Sequence, residues 1–140
     1  MELKFEISNI IASKFENWQI LNESLSTALI GNFKQKLALK EHQLFPWDTT
    51  VGDKIIEEYS NDWEQKLRPQ LLKFPEYVYV IVTAEEYEEK WFVLYGLSHE
   101  LIPLLRELQY FEYAVVANPL VERILFDTHT SKIILLNLNL

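Results

Sequence analysis

The apolar residues change their spacing halfway along the chain, and this change limits the folds that the sequence can adopt. In the first half they recur every three or four residues, as at Ile7, Ile11 and Phe15, which predicts amphipathic helices. From Tyr77 to Val82 they are continuous, β-branched and aromatic, which predicts a central strand buried on both faces. Helices followed by a run of strands indicate the α+β class.

The N-terminal part is predicted to contain two helices. Asn22 or Ser24 can cap the second one, and Gly31-Asn32 is a typical stop signal. Residues 33–40 fit a continued helix as well as a strand, because their apolar residues satisfy both periods. The stop at Gly31 favours the strand.

A third helix is predicted after Thr50-x-x-Asp53, which has the spacing of a capping box. Its apolar stripe would be formed by Ile55, Ile56, Tyr59, Trp63 and Leu67. Pro69 would end or kink this helix, because proline removes a hydrogen-bond donor from the helix interior.

The second half of the chain is predicted to form most of the sheet. Strands are expected at residues 77–82, 90–95, 111–117, 121–126 and 132–138. Between the second and third strands comes a helix with an apolar face of Leu101, Leu104, Leu105 and Leu108. Asn137 and Asn139 alternate with leucines, so the last strand has one polar side, as an edge strand does.

These elements predict one domain over residues 1–140. Its fold is an α+β fold with about five strands in a mostly antiparallel sheet. We expect the N-terminal helices to pack together on one face of that sheet, and one helix to be inserted between strands two and three.

The composition indicates a cytoplasmic protein. The chain has no cysteine, which removes disulfides, thiolate zinc sites and cysteine nucleophiles and is compatible with a reducing compartment. The N-terminal sequence lacks the features of a signal peptide. The longest apolar run is far shorter than the roughly 20 residues that span a bilayer, so no membrane partner is expected.

The charge of −8 is unevenly distributed along the chain. Residues 1–44 contain five lysines and five glutamates, whereas residues 45–140 contain eight basic and sixteen acidic residues. Phosphate backbones are bound mainly by cations, so a nucleic acid is a poor partner. A basic protein is a better one. Solubility alone is the other explanation of such a charge.

Most signatures of catalysis or cofactor binding are missing from the sequence. The three glycines, Gly31, Gly52 and Gly96, are too far apart for a phosphate-binding loop. His99-Glu100 begins like a zinc-protease helix, but Pro103 stands where the second histidine belongs. We therefore expect no enzyme activity, no cofactor and no metal.

Asp127 and His129 form the remaining pair with chemical potential. Residues two apart on a strand face the same side, so both could reach one ligand or move a proton. The same residues fit a polar turn between two strands, in which the aspartate accepts backbone hydrogen bonds. The turn is the preferred interpretation.

The densest acidic stretch, Glu85-Glu86-Tyr87-Glu88-Glu89, also has two interpretations. It is typical of a solvated hairpin tip. It is also a candidate docking site, because four carboxylates around one aromatic ring suit bidentate contacts from arginines of a partner.

Three stretches of the C-terminal half, Trp91 to Gly96, Glu112-Tyr113 and Asp127-Thr128-His129, resemble a known bacterial group. They are similar to the small immunity proteins of polymorphic toxins, in particular the YxxD-like partners of LXG toxins. The resemblance covers about residues 75–135. Thr130 stands where that pattern has a second histidine.

The resemblance implies a non-enzymatic inhibitor that binds a toxin domain directly. Its predicted contact residues are Glu85, Glu86, Tyr87, Glu88, Glu89, Asp127 and His129. The sequence also fits two alternatives. One is a small enzyme or metal-binding protein centred on Asp127 and His129, with His99 in reach. The other is a homo-oligomeric subunit joined through the C-terminal edge strand.

Overall fold

The computed structural model describes residues 3–37, 53–82, 91–107, 113–127 and 132–137. Within them the chain forms four α-helices and seven β-strands, with a 3-10 turn at Ser98–Glu100. The helices are α1 (Leu3–Lys14), α2 (Glu23–Lys36), α3 (Trp63–Leu71) and α4 (Leu101–Glu107). The strands are β1 (Gln19–Ile20), β2 (Asp53–Glu58), β3 (Tyr77–Val82), β4 (Phe92–Leu97), β5 (Tyr113–Val116), β6 (Arg123–Asp127) and β7 (Lys132–Asn137).

The seven strands form one open sheet in the order β1-β4-β3-β5-β6-β7-β2. All six neighbouring pairs are antiparallel. The predicted α+β class with a mostly antiparallel sheet is therefore confirmed, and so is the helix between the second and third predicted strands, which is α4. The strand count was too low, because β1 and β2 were not predicted.

Helices cover both faces of the sheet. Val78, Val80 and Val82 of β3 belong to a core that also contains residues of α1, α3 and α4. Ile81 belongs to a second core that contains Leu29 and Phe33 of α2. The expectation that the N-terminal helices share one face is wrong. They lie on opposite faces because β1, which joins them, pairs at the outer edge of β4.

Residues 53–58 form a strand and not the helix predicted from the capping box. All six residues of β2 pair with β7, from Asp53 opposite Asn137 to Glu58 opposite Lys132. The C-terminal strand β7 is therefore flanked on both sides, and the prediction that it is an edge strand is wrong. An association through β7 as an edge is excluded by the same pairing.

The second helix runs through its predicted stop. Asn22 caps α2 as expected, with Oδ1 accepting from the backbone N of Leu25 at 2.9 Å. The helix continues past Gly31 because Leu29 and Phe33, on either side of it, are both buried against the sheet. The strand interpretation is wrong for residues 33–37, and residues 38–40 lie outside the described part of the chain.

Trp18 closes the core next to β4 and explains why residue 96 is a glycine. A Cβ atom added at Gly96 would lie 2.1 Å from Cδ2 of the Trp18 ring. Such a distance is far inside van der Waals contact, so only glycine lets the indole lie flat on the strand.

Across the described ranges, no helix combines the length and the apolar character that crossing a membrane requires.

Candidate functional site

One end of the sheet gathers the chain segments that the sequence singled out. Val82 pairs with both Phe92 and Tyr113 at this end, and Asp127 ends β6 at the same level. We call it the hairpin end and define it by Val82, Trp91, Tyr113, Asp127, Lys132 and Glu58. The sheet order therefore carries segments that are far apart in sequence to one edge of the molecule.

Three stretches outside the described residues join the sheet at the hairpin end. They are residues 83–90, between β3 and β4, residues 108–112, before β5, and residues 128–131, between β6 and β7. Together their sequences contain five glutamates and one lysine. Strands lie about 4.8 Å apart, so the first and third stretches leave the sheet roughly 14 Å from each other.

The predicted contact residues divide into two groups. Glu85, Glu86, Tyr87, Glu88, Glu89 and His129 lie outside the described residues. Asp127 is described and half-buried at the end of β6. The topology brings the attachment points of both predicted sites to the hairpin end, although they are about 40 positions apart in sequence.

The strands that hold the acidic stretch are buried where they reach the hairpin end. Ile81 and Val82 of β3 and Val93 of β4 are fully buried, and β3 is paired on both sides. Buried, paired core strands belong to the locally most stable parts of a protein. A segment attached to them is therefore held at fixed ends, which is the usual arrangement of a recognition loop on a rigid scaffold.

The carboxylate of Asp127 is engaged inside the protein. Tyr59 donates its hydroxyl proton to Oδ1 at 2.6 Å, and the indole Nε1 of Trp63 donates to Oδ2 at 2.9 Å. Tyr59 directly follows β2 and Trp63 begins α3, so two hydrogen bonds tie the β2–α3 connection to the end of β6. Charge-assisted hydrogen bonds of this length are among the stronger ones in proteins.

Tyr59 and Trp63 were not predicted to belong to this site. Their spacing of four residues was interpreted as part of an apolar helical stripe, although both rings carry a polar hydrogen that needs an acceptor when it is buried. Asp127, a single carboxylate at the end of a predicted strand, is the signal in the sequence for an acceptor of this kind. Of the Asp127–His129 pair, the Asp127 carboxylate thus holds the β2–α3 connection to the end of β6.

His99 and Asp127 do not come together. His99 lies in the 3-10 turn after Leu97, which pairs with Tyr77 at the opposite end of the sheet. With about 3.3 Å per strand residue, that end is roughly 17 Å from the level of Asp127. Among the described residues, no group of three or more His, Asp or Glu side chains is arranged to hold a metal ion.

Lysines lie over the two aromatic residues at the start of β4, Trp91 just before the strand and Phe92 at its first position. The Nζ of Lys34 in α2 lies 4.5 Å from the centre of the Trp91 ring, and the Nζ of Lys4 in α1 lies 5.9 Å from that of Phe92. These are cation–π distances. They fasten the ends of helices on both faces to the strand that follows the acidic stretch.

Three tyrosines form a cluster at the opposite end of the sheet. The rings of Tyr77 and Tyr95 stack at 5.4 Å, and those of Tyr79 and Tyr95 lie 4.8 Å apart. Burial raises the pKa of Tyr79 above its usual value of 10.0, and the neighbouring Tyr95 adds to that increase. The cluster is a partly exposed aromatic surface on the same face of the sheet as α2, where Tyr79 packs against the core that contains Leu29 and Phe33.

The turn between β5 and β6 is strained. Val121 has a φ of 58°, which β-branched residues rarely adopt, and its side chain is fully buried. Asn118 accepts from the backbone N of Leu120, and Asn32 of α2 donates to the carbonyl of Pro119. A shallow polar cavity of about 250 Å³ lies beside this turn, against Arg123 and Asn137.

Comparison with known proteins gives no relative on which a function could be based. No protein-family model, no characterised protein and no solved structure matches the chain. The interpretation of function therefore depends on the geometry of the hairpin end, the charge of the chain and the resemblance described above.

Proposed function

We propose that this chain is a non-enzymatic binding protein of the immunity type, which neutralises a basic toxin domain by binding it directly. Its contact surface is the hairpin end, with Glu85, Glu86, Glu88 and Glu89 as the charged contacts and Tyr87 as the aromatic anchor. The site of action is the cytosol, in keeping with a chain that contains no cysteine.

The observation that carries this proposal is the place where the four-glutamate stretch is attached. The stretch connects Val82 to Trp91, and the flanking strands β3 and β4 are buried and paired. Residues 128–131 leave the sheet at the same end. A rigid base that presents an acidic segment loses little conformational entropy when a partner binds, which increases affinity.

The chemistry of the acidic stretch suits an arginine-rich or lysine-rich surface. Carboxylates accept two parallel hydrogen bonds from one guanidinium group, and opposite charges accelerate the encounter of two proteins. An interface of ordinary size buries about 1,200–2,000 Å² in total, and a few central residues supply most of its binding energy. Tyr87, among the four glutamates, is the proposed central residue.

Asp127 has a supporting part in this proposal. Its two hydrogen bonds to Tyr59 and Trp63 hold the base from which residues 128–131 leave the sheet. His129, in that stretch, is the second proposed contact. The toxin would therefore meet two segments on one fixed frame.

The proposal is tested with the protein encoded by the reading frame next to this one. We expect the C-terminal domain of that protein to co-purify with this chain after co-expression. Calorimetric titration should then give an affinity that falls as sodium chloride is raised, because salt screens exposed charges. Hen lysozyme, a basic protein with no relation to the pair, is the control for non-specific charge attraction. Equal affinity for lysozyme, or no complex with the neighbouring domain, contradicts the proposal.

A further inference from the structure

The strand β2 ends the sheet, and its outer side pairs with no other described strand. All six of its residues pair with β7 on the inner side. The outward N–H and C=O groups of such a strand form a row that can accept another strand. The described part of the other edge, β1, has only two residues, so β2 is the longer of the two edges.

The middle of β2 is apolar on both of its faces. Ile55 is 40 % exposed on the face covered by α3, and Ile56 is 51 % exposed on the opposite face. Natural edge strands usually place charges, proline or a bulge at the centre, because these features prevent pairing. Here the charged residues are confined to the two ends of the strand, as Asp53-Lys54 and Glu57-Glu58.

We propose that two copies of this chain associate through β2, with the two strands antiparallel and Ile56 opposite Ile56 on the two-fold axis. This contact is isologous, because the same strand of each copy forms both halves of the interface. It joins the two seven-stranded sheets into one continuous sheet. The proposal is independent of the function proposed for the hairpin end.

The sequence of β2 favours the register with Ile56 on the two-fold axis over the register with Ile55 on that axis. A two-fold axis perpendicular to the sheet places residues of the same face opposite each other. When Ile56 lies on the axis, position 54, a lysine, falls opposite Glu58 of the second copy, and this happens twice. When Ile55 lies on the axis, Asp53 falls opposite Glu57, and like charges in directly opposite positions are destabilising.

In this register the apolar contact between the two copies is located at the dimer axis. The two Ile56 side chains become cross-strand neighbours, and aliphatic pairs of this kind contribute to the stability of a sheet. On the other face Ile55 lies opposite Glu57, which is half-buried and 3.9 Å from Lys66 of α3 in the monomer. A contact of six residues per strand is small, so the dimer is expected to form reversibly and to depend on concentration.

The geometry leaves both proposed toxin-binding surfaces free. Because the two copies of β2 run in opposite directions, the two hairpin ends point away from each other. A dimer can then bind two toxin domains, one at each end of the extended sheet. Stoichiometry in the complex is therefore two to two for the dimer and one to one for the monomer.

Sedimentation velocity over a range of concentrations tests the dimer and its register. Wild type should change from monomer to dimer as its concentration rises. Ile56→Lys places two lysines opposite each other and should raise the dissociation constant at least tenfold. Ile55→Lys is the matched control, since it places a lysine opposite Glu57 of the second copy and should leave the dimer intact.

A charge exchange provides a second test that does not alter the isoleucines. K54E and E58K should each weaken the dimer, because each puts like charges opposite one another. The double variant K54E/E58K should restore it. Thermal unfolding of every variant shows whether the monomer fold is retained.

Two results would overturn the proposal. One is a wild-type chain that stays monomeric at every concentration reached. The other is a dimer that Ile55→Lys disrupts and Ile56→Lys does not. In the first case, hydrogen exchange of β2 with and without the toxin domain shows what occupies the edge, because amides protected only after the domain is added assign the edge to a strand of that domain.

Discussion

The indole Nε1 of Trp63 lies 2.9 Å from Oδ2 of Asp127 and joins the first residue of α3 to the last residue of β6. The two residues are 64 positions apart in the sequence. Tyr59 completes the arrangement at the other carboxylate oxygen. The aspartate therefore fixes the frame around the hairpin end, and the proposed recognition of a partner is left to the segments attached to that frame.

Replacing Asp127 should destabilise the fold. Asp127→Asn leaves one acceptor oxygen for two donors, and we expect the free energy of unfolding to fall by about 1–3 kcal/mol. Asp62→Asn is the control, because Asp62 accepts from the backbone N of Ser60, and the side-chain oxygen of an asparagine can accept the same hydrogen bond. Urea unfolding measures both. An Asp127→Asn variant as stable as Asp62→Asn would contradict the structural role of this carboxylate.

Two glycine-to-alanine substitutions should have opposite effects. Gly96→Ala places a Cβ atom inside the Trp18 ring and should cost about 1–3 kcal/mol or more, because the core must shift. Gly31→Ala meets nothing within 4 Å in the middle of α2 and should stabilise the protein by about 0.5–1 kcal/mol. Thermal unfolding of the two variants against wild type is sufficient. A stabilising Gly96→Ala would show that Trp18 does not pack on this strand.

Val121→Gly should cost less than the same change at an ordinary buried valine. Burial of a valine side chain contributes about 1.5–3 kcal/mol, but the positive φ of Val121 costs about 1–3 kcal/mol, and glycine relieves that strain. Val115→Gly is the comparison, since Val115 is equally buried in a strand without such strain. Chemical denaturation should rank Val115→Gly as clearly the more damaging. Equal losses would mean that the turn stores no strain.

Stability should decline in alkaline solution, partly because of Tyr79. The pKa of Tyr79 is raised in the folded state, so the neutral phenol is favoured there. Its contribution is complete below the unfolded pKa of 10.0 and is lost as the pH rises through the higher folded pKa. Urea midpoints measured from neutral pH to above pH 10 should fall more steeply for wild type than for Tyr79→Phe. If the urea midpoints of the two proteins fall in parallel as the pH rises, the predicted contribution of Tyr79 is contradicted.

Local signals identified the central strands correctly. Six consecutive β-branched and aromatic residues predicted β3 from Tyr77 to Val82, and the structure gives the same boundaries. The leucine spacing predicted the buried face of α4 at Leu101, Leu104 and Leu105. In both elements, each residue's preference and its burial agree, so neighbouring residues alone contain enough information.

Pairing between strands that are far apart in the sequence explains the largest error of the prediction, which is the helix expected where β2 forms. Ile55, Ile56, Tyr59 and Trp63 have helical spacing, yet the first two belong to β2 and the last begins α3. The partner of β2 is β7, almost 80 residues later, and no local pattern shows that pairing. The same limit applies to the two N-terminal helices, since the choice of face depends on where β1 pairs.

The continuation of α2 past Gly31 illustrates how packing overrides a local preference. A glycine within a helix costs about 1 kcal/mol. The burial of Leu29, Phe33 and Leu37 against the sheet outweighs this cost, because each such side chain contributes about 1.5–3 kcal/mol. The stop signal was present in the sequence, and the compensating burial could be evaluated only with the sheet in place.

The chemistry of the candidate site could be predicted from the sequence, but the arrangement of strands that positions the site could not. The acidic stretch at residues 85–89 is visible in the sequence. That Asp127 would be held by Tyr59 and Trp63 depended on the unpredicted position of β2. Residues 83–90 and 128–131 are attached at the same end of the sheet because of the strand order. The spacing of the apolar residues alone does not determine that order.

The most direct test of the proposed function is a calorimetric comparison of two charge-matched variants binding the neighbouring toxin domain. One changes Glu85, Glu86, Glu88 and Glu89 to glutamine, and the other changes four exposed glutamates elsewhere, Glu6, Glu16, Glu23 and Glu76. Both remove the same charge, so only position differs.

We predict that the first variant binds at least about a hundredfold more weakly, because a charge-assisted hydrogen bond contributes about 1.5–3 kcal/mol and 1.4 kcal/mol is a tenfold change. The second should stay within about threefold of wild type at physiological salt, where distant surface charges are screened. Equal losses in the two variants, or unchanged affinity in the first, would contradict recognition through the hairpin end.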